Sequence, residues 1–365
     1  MNTTKELMKK FMLSFGPSGF ESETASLFKK EMQNLADEIT VDRFGNVMCK
    51  FDGTDKNAPK VMVFAHLDEI GLIVKKVEAN GFLRMDRIGY IPEKVLPGLE
   101  ITIQTDFSHF IPGVFGNKSQ HSASTQDQNQ VDKLGDLYVD IGASSAQEVY
   151  NLGIHVGSPA TYKPNYIELV DNMISGTAID NRGGVVALIL AAQLIKQSSH
   201  ASTIYLVGGV WEEFNVRGVA LATKLIQPDV LISLDVCLCG DTPDMSKKFD
   251  TKCGLGPSLA TLTFHGRGSL NGTIAHKGLA DLAIKVAKEI DIPLQFFATT
   301  DMLTDAAFAQ MEGFGLAAIE LGFPTRYTHT PTEVTNVTDI ENLAHLVACI
   351  ATKIDADFDV NRYTI

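Results

Sequence analysis

The sequence predicts an α/β fold in which helices cover both faces of a mixed sheet, with a small β-rich domain inserted. From Ile174 onward, apolar runs typical of strands alternate with segments of helical periodicity, which favours a parallel or mixed sheet. Between residues 71 and 167 helical periodicity is scarce, and strand-like segments are separated by glycine and proline. The 365 residues also exceed one ordinary domain. We therefore expect residues 1–70 and 168–365 to form a discontinuous α/β domain around an inserted domain at 71–167.

The elements before the insertion follow from spacing and turn signals. Apolar residues at helical spacing predict a first helix, which ends at Gly16-Pro17, and Gly45-Asn46 is a tight-turn signal between two strands. In order, we predict helices over 4–15 and 18–35, a strand pair over 39–51 and a strand over 60–65.

The insertion and the second half complete the pattern. In the insertion we predict strands over 72–77, 99–104 and 137–141, a helix over 145–151, and a mobile loop over the polar stretch 116–133. In the second half we predict helices over 183–197, 216–226, 276–289, 304–312 and 338–354, and strands over 203–210, 230–235, 293–298 and 315–320.

Composition excludes several classes of function. Hydrophobic residues make up 45% of the chain and charged residues 21%, which supports a large buried core. A net charge of −13 argues against nucleic-acid and membrane-surface partners, and it suits a protein that holds cations. We find neither a signal-peptide pattern nor a membrane-spanning run, so we expect a soluble, cytoplasmic protein. The five scattered cysteines are interpreted as buried free thiols rather than as a zinc ribbon at Cys237 and Cys239.

Five short motifs carry acidic and histidine side chains, and most of them end an apolar run. They are His66-Leu-Asp68-Glu69, Ile179-Asp180-Asn181, Trp211-Glu212-Glu213, Leu234-Asp235 and Tyr327-Thr-His329. The carboxyl ends of strands in an α/β sheet meet at the edge where ligands bind. Two histidines with several carboxylates suit borderline dications such as zinc or cobalt. The sequence therefore predicts a two-metal hydrolase.

The first three motifs also have simpler interpretations. His66 could be a metal ligand whose second ring nitrogen is held by Asp68, or it could be a surface histidine beside a helix start. The adjacent carboxylates of Glu212 and Glu213 repel each other unless a cation compensates them, but they could also form a solvated acidic turn. Asp180 could bridge two mutually repelling dications, or either Asp180 or Asn181 could cap the next helix.

Asp235 and His329 are weaker signals when each is taken alone. Asp235 ends an apolar strand, whereas a histidine in an exposed loop, such as His329, usually has no catalytic role. Five candidate ligands at successive sheet ends nevertheless fit a dinuclear site better than coincidence.

Together these motifs resemble the TET/glutamyl-aminopeptidase family of co-catalytic metallo-aminopeptidases, nearly end to end. The similarity includes Pro17-Ser-Gly-Phe-Glu21, Leu96-Pro-Gly98, Asp140-Ile-Gly-Ala143, Gly240-Asp-Thr-Pro243, Thr304-Asp305-Ala306 and Pro324-Thr-Arg-Tyr327. The resemblance implies a zinc-peptidase-like catalytic domain around a barrel- or PDZ-like dimerisation domain. It also implies a homo-oligomer, with dimers assembling into a tetrahedral dodecamer that admits short, unfolded peptides.

The resemblance further implies specific roles. One metal would be bound by His66, Asp180 and Asp235, and the second by Asp180, Glu213 and His329. Glu212 would be the general base and acid, and Asp68 the partner of His66. The cofactors would be two divalent ions per subunit, zinc or cobalt, with manganese as a further option.

The chain departs from the family pattern near the site. Asn181 stands where many relatives have a second Asp, Asn215 replaces a usual Gly, and Trp211 and Cys237 are unusual neighbours. His121, in the polar loop, corresponds to a histidine common in relatives, and we expect it to be exposed to solvent.

Two other functions are compatible with part of the pattern. A glycan hydrolase of the endoglucanase type would use two carboxylates but would not need His66 and His329. A non-catalytic, metal-stabilised assembly protein would not need Glu212. Selectivity for acidic N-terminal residues would require a Lys or Arg in the pocket, and the sequence identifies none.

Overall fold

A computed structural model describes residues 3–124, 130–266 and 270–363. The predicted fold class is confirmed, because a mixed sheet lies between two helical layers and a closed six-stranded barrel is inserted between its strands.

The first elements are α1 (Thr4–Met12), α2 (Ser22–Met32), β1 (Glu38–Val41), β2 (Val47–Phe51) and β3 (Val61–His66). Helix α1 begins with a capping box, in which Thr3 accepts a hydrogen bond from the Glu6 amide and the Glu6 carboxylate accepts one from Thr3. All six residues of β3 are buried, so the strand delivers His66 from within the core.

The barrel is formed by the residues that follow. Its elements are β4 (Gly71–Val77), β5 (Leu83–Ile88), β6 (Glu100–Gln104), β7 (Phe110–Phe115), β8 (Val139–Asp140), α3 (Ala146–Asn151) and β9 (Pro159–Tyr162), and its strands close in the order β4-β5-β8-β7-β6-β9. Buried Leu72, Ile101 and Phe115 belong to its separate core. The prediction omits β5, β7 and β9. Pro112 and Gly113 interrupt β7 and Pro159 begins β9, and these residues normally argue against a strand.

The chain then returns to the large sheet. The elements are β10 (Tyr166–Glu168), β11 (Met173–Gly176), α4 (Ile179–Ile195), β12 (Ile204–Gly209), α5 (Glu212–Asn215), α6 (Gly218–Ile226), β13 (Val230–Leu238), β14 (Ser258–His265), β15 (Asn271–Ile274), α7 (Lys277–Glu289), β16 (Gln295–Thr299), β17 (Asp301–Met302), α8 (Ala306–Ala309), β18 (Ala317–Arg326), β19 (Glu333–Asn336) and α9 (Val337–Lys353). The prediction lacks helix α5 and strands β10, β11, β14, β15, β17 and β19. Strand β18 is longer than predicted, and helix α8 is shorter.

The centre of the sheet is parallel, in the order β12-β3-β13-β18. Register places His66 beside Gly209 and Asp235 beside Gly322, so these strands present their carboxyl ends at one edge. Residues of α1, α2, α4, α7 and α9 pack on one face, and residues of α6 and α8 pack on the other. This common edge is where the five motifs converge.

The proposed domain boundaries and the dimerising role of the barrel stay predictions. In the polar stretch 116–133, residues 125–129 lie outside the described residues. Within the described part of the chain, we find no helix with the length and apolar character needed to span a membrane.

Candidate metal centre

Five elements bring the predicted site residues to one edge of the sheet. His66 is the last residue of β3, Asp235 lies near the end of β13, and Glu212 and Glu213 open α5 directly after β12. Asp180 lies in the first turn of α4, and His329 lies in the connection between β18 and β19. All five candidate ligands and the candidate base Glu212 therefore meet, although they span more than 260 positions of the chain.

The first group of ligand atoms surrounds His66. Its Nε2 lies 3.2 Å from Oδ1 of Asp180 and 4.0 Å from Oδ1 of Asp235. The three residues are buried, and His66 is only 2% exposed. The interpretation of His66 as a surface histidine is therefore wrong.

The second group surrounds His329. Its Nε2 lies 3.4 Å from Oε2 of Glu213 and 3.6 Å from Oδ2 of Asp180. Asp180 thus gives one carboxylate oxygen to each group. Within each group the potential ligand atoms lie within 4.8 Å of one another, a spacing that could hold a metal ion.

The electrostatics of the site fit bound cations. Burial raises the pKa of Glu212 well above its usual range, and nearby Glu213 and Asp235 raise it further. Burial and the neighbouring Asp180 do the same to the pKa of Asp235. Burial alone would lower the pKa of His329, but Glu213 and Asp180 outweigh it and raise the value to about 10. Dications would relieve this crowding of buried carboxylates, and the imidazole and carboxylate donors suit zinc or cobalt.

Asp68 organises the paired glutamates. Its carboxylate accepts hydrogen bonds from the amides of Glu212 (3.2 Å) and Glu213 (3.0 Å) and from the Ser18 hydroxyl (2.5 Å). The nearest partner of His66 Nδ1 is the backbone oxygen of Asp68 at 3.1 Å, whereas the Asp68 carboxylate lies 3.6 Å away. Both the main chain and the carboxylate of Asp68 therefore face Nδ1 of His66, and the backbone oxygen is the nearer of the two.

Asp180 and Asn181 lie in a segment with an unusual backbone conformation. Ala178 has a positive φ and the Asp180–Asn181 peptide bond is cis. The Asn181 side chain accepts a hydrogen bond from the Gly184 amide (3.0 Å) and donates one to the Leu234 oxygen (2.8 Å). The backbone of Asp180 and Asn181 is non-helical, so Asn181 caps the regular part of α4 that follows it, as the sequence predicts. The Asp180 side chain faces the two histidines.

His329 is fixed from two directions. Its Nδ1 hydrogen-bonds the backbone oxygen of Tyr90 over 2.8 Å, which leaves Nε2 to face the carboxylates. The buried Glu333 accepts hydrogen bonds from the amides of His329 (2.7 Å) and Asp180 (3.0 Å). The sequence analysis misses Glu333, although its position four residues after His329 is a local signal.

A buried ion pair joins two residues that are adjacent in sequence to Asp68 and Asn181. The Arg182 guanidinium lies 3.2 Å from Oε1 of Glu69, and both side chains are almost fully buried. Glu69 also accepts hydrogen bonds from the Gly16 amide and the Thr161 hydroxyl. The first motif includes Glu69, but the sequence gives it no role because its partner follows 113 residues later.

The structure also shows where the other residues that depart from the family pattern lie. Asn215 is the last residue of α5 and does not adopt the left-handed backbone, which occurs instead at Trp211 and Val216. Cys237 is buried, and the five cysteines are free thiols. His121 is exposed.

Comparison with known proteins identifies the family. The sequence model of M42 glutamyl aminopeptidases matches residues 45–346. The chain belongs to the M42 family. M42 peptidases are metal-dependent hydrolases of peptide bonds.

Individual relatives agree with this assignment. The lysyl aminopeptidase of Pyrococcus furiosus is 32% identical over 348 residues, which cover 94% of this chain and 96% of the relative. An aminopeptidase structure from Desulfurococcus kamchatkensis superposes with a TM-score of 0.91 at 31% identity, covering 97% of this M42 chain and 96% of the other.

Two further structures bear on assembly and on the alternative function. The TET1 peptidase of Pyrococcus horikoshii, described as assembling into a tetrahedron or a large octahedral shell, has a TM-score of 0.84 at 26% identity and covers 96% and 100% of the two chains. A Thermotoga maritima structure named an endoglucanase has a TM-score of 0.73 at 25% identity and covers 95% and 96%. The glycan-hydrolase alternative is therefore the weaker one.

Proposed function

We propose that this M42 protein is a dinuclear metallo-aminopeptidase that removes N-terminal residues from short peptides. One observation carries the proposal: Asp180 directs its two carboxylate oxygens towards two different histidines, each of which has a further carboxylate nearby.

In this proposal His66, Asp180 and Asp235 hold one cation, and Asp180, Glu213 and His329 hold the other. Zinc or cobalt suits these donors, and manganese is a further candidate. When bound, such cations would anchor the free α-amine of a peptide, polarise the scissile carbonyl and acidify water.

Glu212 is the residue we assign to proton transfer. It belongs to neither of the two proposed ligand sets, although its carboxylate lies within ligand spacing of His66 and Glu213. It is buried, and its Oε2 lies 3.9 Å from Nε2 of His66. Hydrogen bonds from the amides of Glu212 and Glu213 to Asp68 fix the turn that carries it. Glu212 takes a proton from the attacking water and returns it to the nitrogen of the departing amine, so the two products balance with one water consumed.

We also propose that the protein acts as a homo-oligomer, with the barrel forming dimers that assemble into a tetrahedral dodecamer. Support comes from the assemblies described for the TET1 peptidase. A closed assembly would admit short, unfolded peptides and exclude folded proteins.

The decisive experiment compares one preparation in three states: metal-free after chelation, reconstituted with Zn²⁺, Co²⁺ or Mn²⁺, and chelated again. We expect hydrolysis of aminoacyl-p-nitroanilides only in the reconstituted state. Carboxymethyl-cellulose, assayed in parallel, should not be cleaved. Cleavage of the glycan without cleavage of any aminoacyl substrate would favour the endoglucanase alternative, and full peptidase activity without metal would refute the proposal.

A further inference from the structure

Two cysteine side chains meet outside the candidate metal centre, in the connection between β13 and β14, where they flank the loop of residues 240–252. The Sγ atoms of Cys239 and Cys253 lie 3.6 Å apart, although the two residues are 14 positions apart in the sequence. Cys239 is only 4% exposed, but Cys253 is partly exposed, so small molecules can approach the pair from the Cys253 side. A disulfide joins two sulfur atoms at roughly 2 Å, so these atoms must approach each other by about 1.6 Å to form the bond.

The backbone at the base of this loop already holds the two cysteines side by side. The Gly240 amide donates a hydrogen bond to the Thr251 oxygen over 2.7 Å. The Asp241 carboxylate accepts hydrogen bonds from the Cys253 amide over 3.2 Å and from the Cys239 thiol over 2.9 Å. Closing a disulfide therefore requires the two side chains to rotate, and it does not require the loop to refold.

Cys239 is the more reactive of the two thiols. The hydrogen bond with Cys253 lowers the pKa of Cys239 and outweighs burial, which raises it. Burial raises the pKa of the thiols of Cys237 and Cys349, and it raises that of Cys49 to about 12. Because the thiolate is the form that reacts with oxidants, we expect Cys239 to react first, with Cys253 in position to attack the oxidised sulfur.

We propose that Cys239 and Cys253 are a site of reversible oxidation, at which hydrogen peroxide closes a disulfide across the base of loop 240–252. The Cys239 thiolate attacks one peroxide oxygen to give a sulfenic acid, and the other oxygen leaves as hydroxide. The Cys253 sulfur then displaces the sulfenic hydroxyl, which also leaves as hydroxide, and the S–S bond forms. The two thiol protons convert the two hydroxides into water, so the cysteines lose two electrons and the peroxide gains two. A thiol reductant reopens the bond by exchange.

The site lies beside the metal edge but uses none of its residues. Cys239 follows β13, four residues after Asp235. The Asp241 carboxylate binds the Arg326 guanidinium at the end of β18 through two hydrogen bonds of 2.6 and 2.7 Å, and His329 follows three residues later. The oxidation itself needs neither a metal ion nor a peptide substrate, so it stands apart from the proposed aminopeptidase function.

The test uses full-length, zinc-reconstituted protein that is reduced, freed of reductant and treated with a small excess of hydrogen peroxide. Free thiols, counted under denaturing conditions, should fall from five to about three per chain. Added reductant should restore all five, because disulfides that form in reducing compartments are usually transient. The protein should keep the mass of one chain on a denaturing, non-reducing gel, because the bond is intramolecular. Five remaining thiols, or a loss that reductant does not reverse, overturns the proposal.

Cysteine variants locate the bond, and Cys237 is the matched control because it is buried and lies two residues before Cys239. Cys237→Ser should still lose two thiols, whereas Cys239→Ser and Cys253→Ser should form no disulfide. In Cys253→Ser the sulfenic acid on Cys239 has no partner, so dimedone should label Cys239. A disulfide that persists in Cys239→Ser, or one that is absent from folded Cys237→Ser, contradicts the pairing.

A second measurement needs no variant, in case a substitution prevents folding. In a tryptic digest of the oxidised wild type, the peptide that ends at Lys247 contains Cys237 and Cys239, and the peptide that begins at Cys253 contains no other cysteine. The two peptides should appear as one linked species that reductant separates. Fragmentation of this species in a mass spectrometer should place the bond at Cys239. A bond at Cys237, or a peptide oxidised to a sulfinic acid without any linked species, refutes the proposed disulfide.

Discussion

Oδ1 of Asp180 lies 3.2 Å from Nε2 of His66, while the second oxygen of the same carboxylate faces the other histidine of the site. A single short side chain thereby connects two groups of ligands. This geometry is the basis for predicting two cations rather than one.

The number of bound cations should depend on His329. His329→Ala removes a ligand of the second group only, so metal content should fall from about two to about one ion per chain. Elemental analysis after dialysis measures this, with His121→Ala as the control because His121 is exposed. Two ions in His329→Ala would mean that the second group is not a metal site.

Glu212 should be required for turnover but not for metal binding. Glu212→Gln keeps the size of the side chain and removes the proton acceptor, so kcat should fall by about 10²- to 10⁴-fold. Metal content, measured on the same samples, should match the wild type. A variant that retains more than a tenth of wild-type kcat would exclude Glu212 as the general base.

Metal affinity should rise with pH. Metal binding requires a neutral imidazole, and in the metal-free protein the carboxylates raise the pKa of His329 to about 10. His329 is therefore protonated at pH 7 and must release its proton on binding. Calorimetry in buffers of different ionisation enthalpy should detect proton release at pH 7–8, and the apparent Kd for Co²⁺ should decrease from pH 6.5 to 8.5. Binding without proton release would contradict this charge state.

The stability of the metal-free protein should fall as the pH rises, because His329 then loses the charge that pairs with the carboxylates. His329 has a folded pKa of about 10 against an ordinary value of 6.5, so its contribution to stability is complete below pH 6.5 and is lost as the pH rises through 10. Thermal unfolding should give a decreasing Tm from pH 7 to 9.5, with a shallower slope in His329→Gln. Equal slopes in the two proteins would show that His329 is not paired with the carboxylates.

The buried pair of Glu69 and Arg182 should stabilise the fold. Glu69→Gln leaves the Arg182 charge without its partner, so the free energy of unfolding should fall by about 3 kcal/mol. We expect a loss at the low end of the range for a broken buried ion pair. The reason is that Asp68 and Glu21 also lie near Arg182 and still attract its charge. Urea unfolding of metal-free protein measures the change. Lys277→Gln, which removes an exposed pair with Asp281, should change stability by less than about 1 kcal/mol.

The sequence allowed prediction of the α/β rhythm and of the converging strand ends, because both depend on local periodicity. His66, Asp180, Glu212, Glu213 and Asp235 follow or begin elements with clear patterns, so their meeting could be inferred. The hydrogen bonds that hold these side chains in place could not be inferred. The hydrogen bond of His329 to Tyr90 joins positions 239 residues apart, and it involves a backbone oxygen that no side-chain pattern indicates.

The buried Glu320 of β18 illustrates the same limit. An acidic residue inside an otherwise apolar strand is visible in the sequence, but its threonine partners come from other elements. Strand β14, which carries Thr263, is itself missing from the prediction. Only the packed sheet shows which hydroxyls reach the Glu320 carboxylate.

The inserted barrel has a consequence for protein engineering. It supplies the Tyr90 oxygen to His329, the Tyr162 hydroxyl to the His329 backbone (3.1 Å) and the Thr161 hydroxyl to Glu69 (2.8 Å). A minimal enzyme trimmed to its α/β portion would lose all three supports, so shortening this scaffold has to leave the barrel intact.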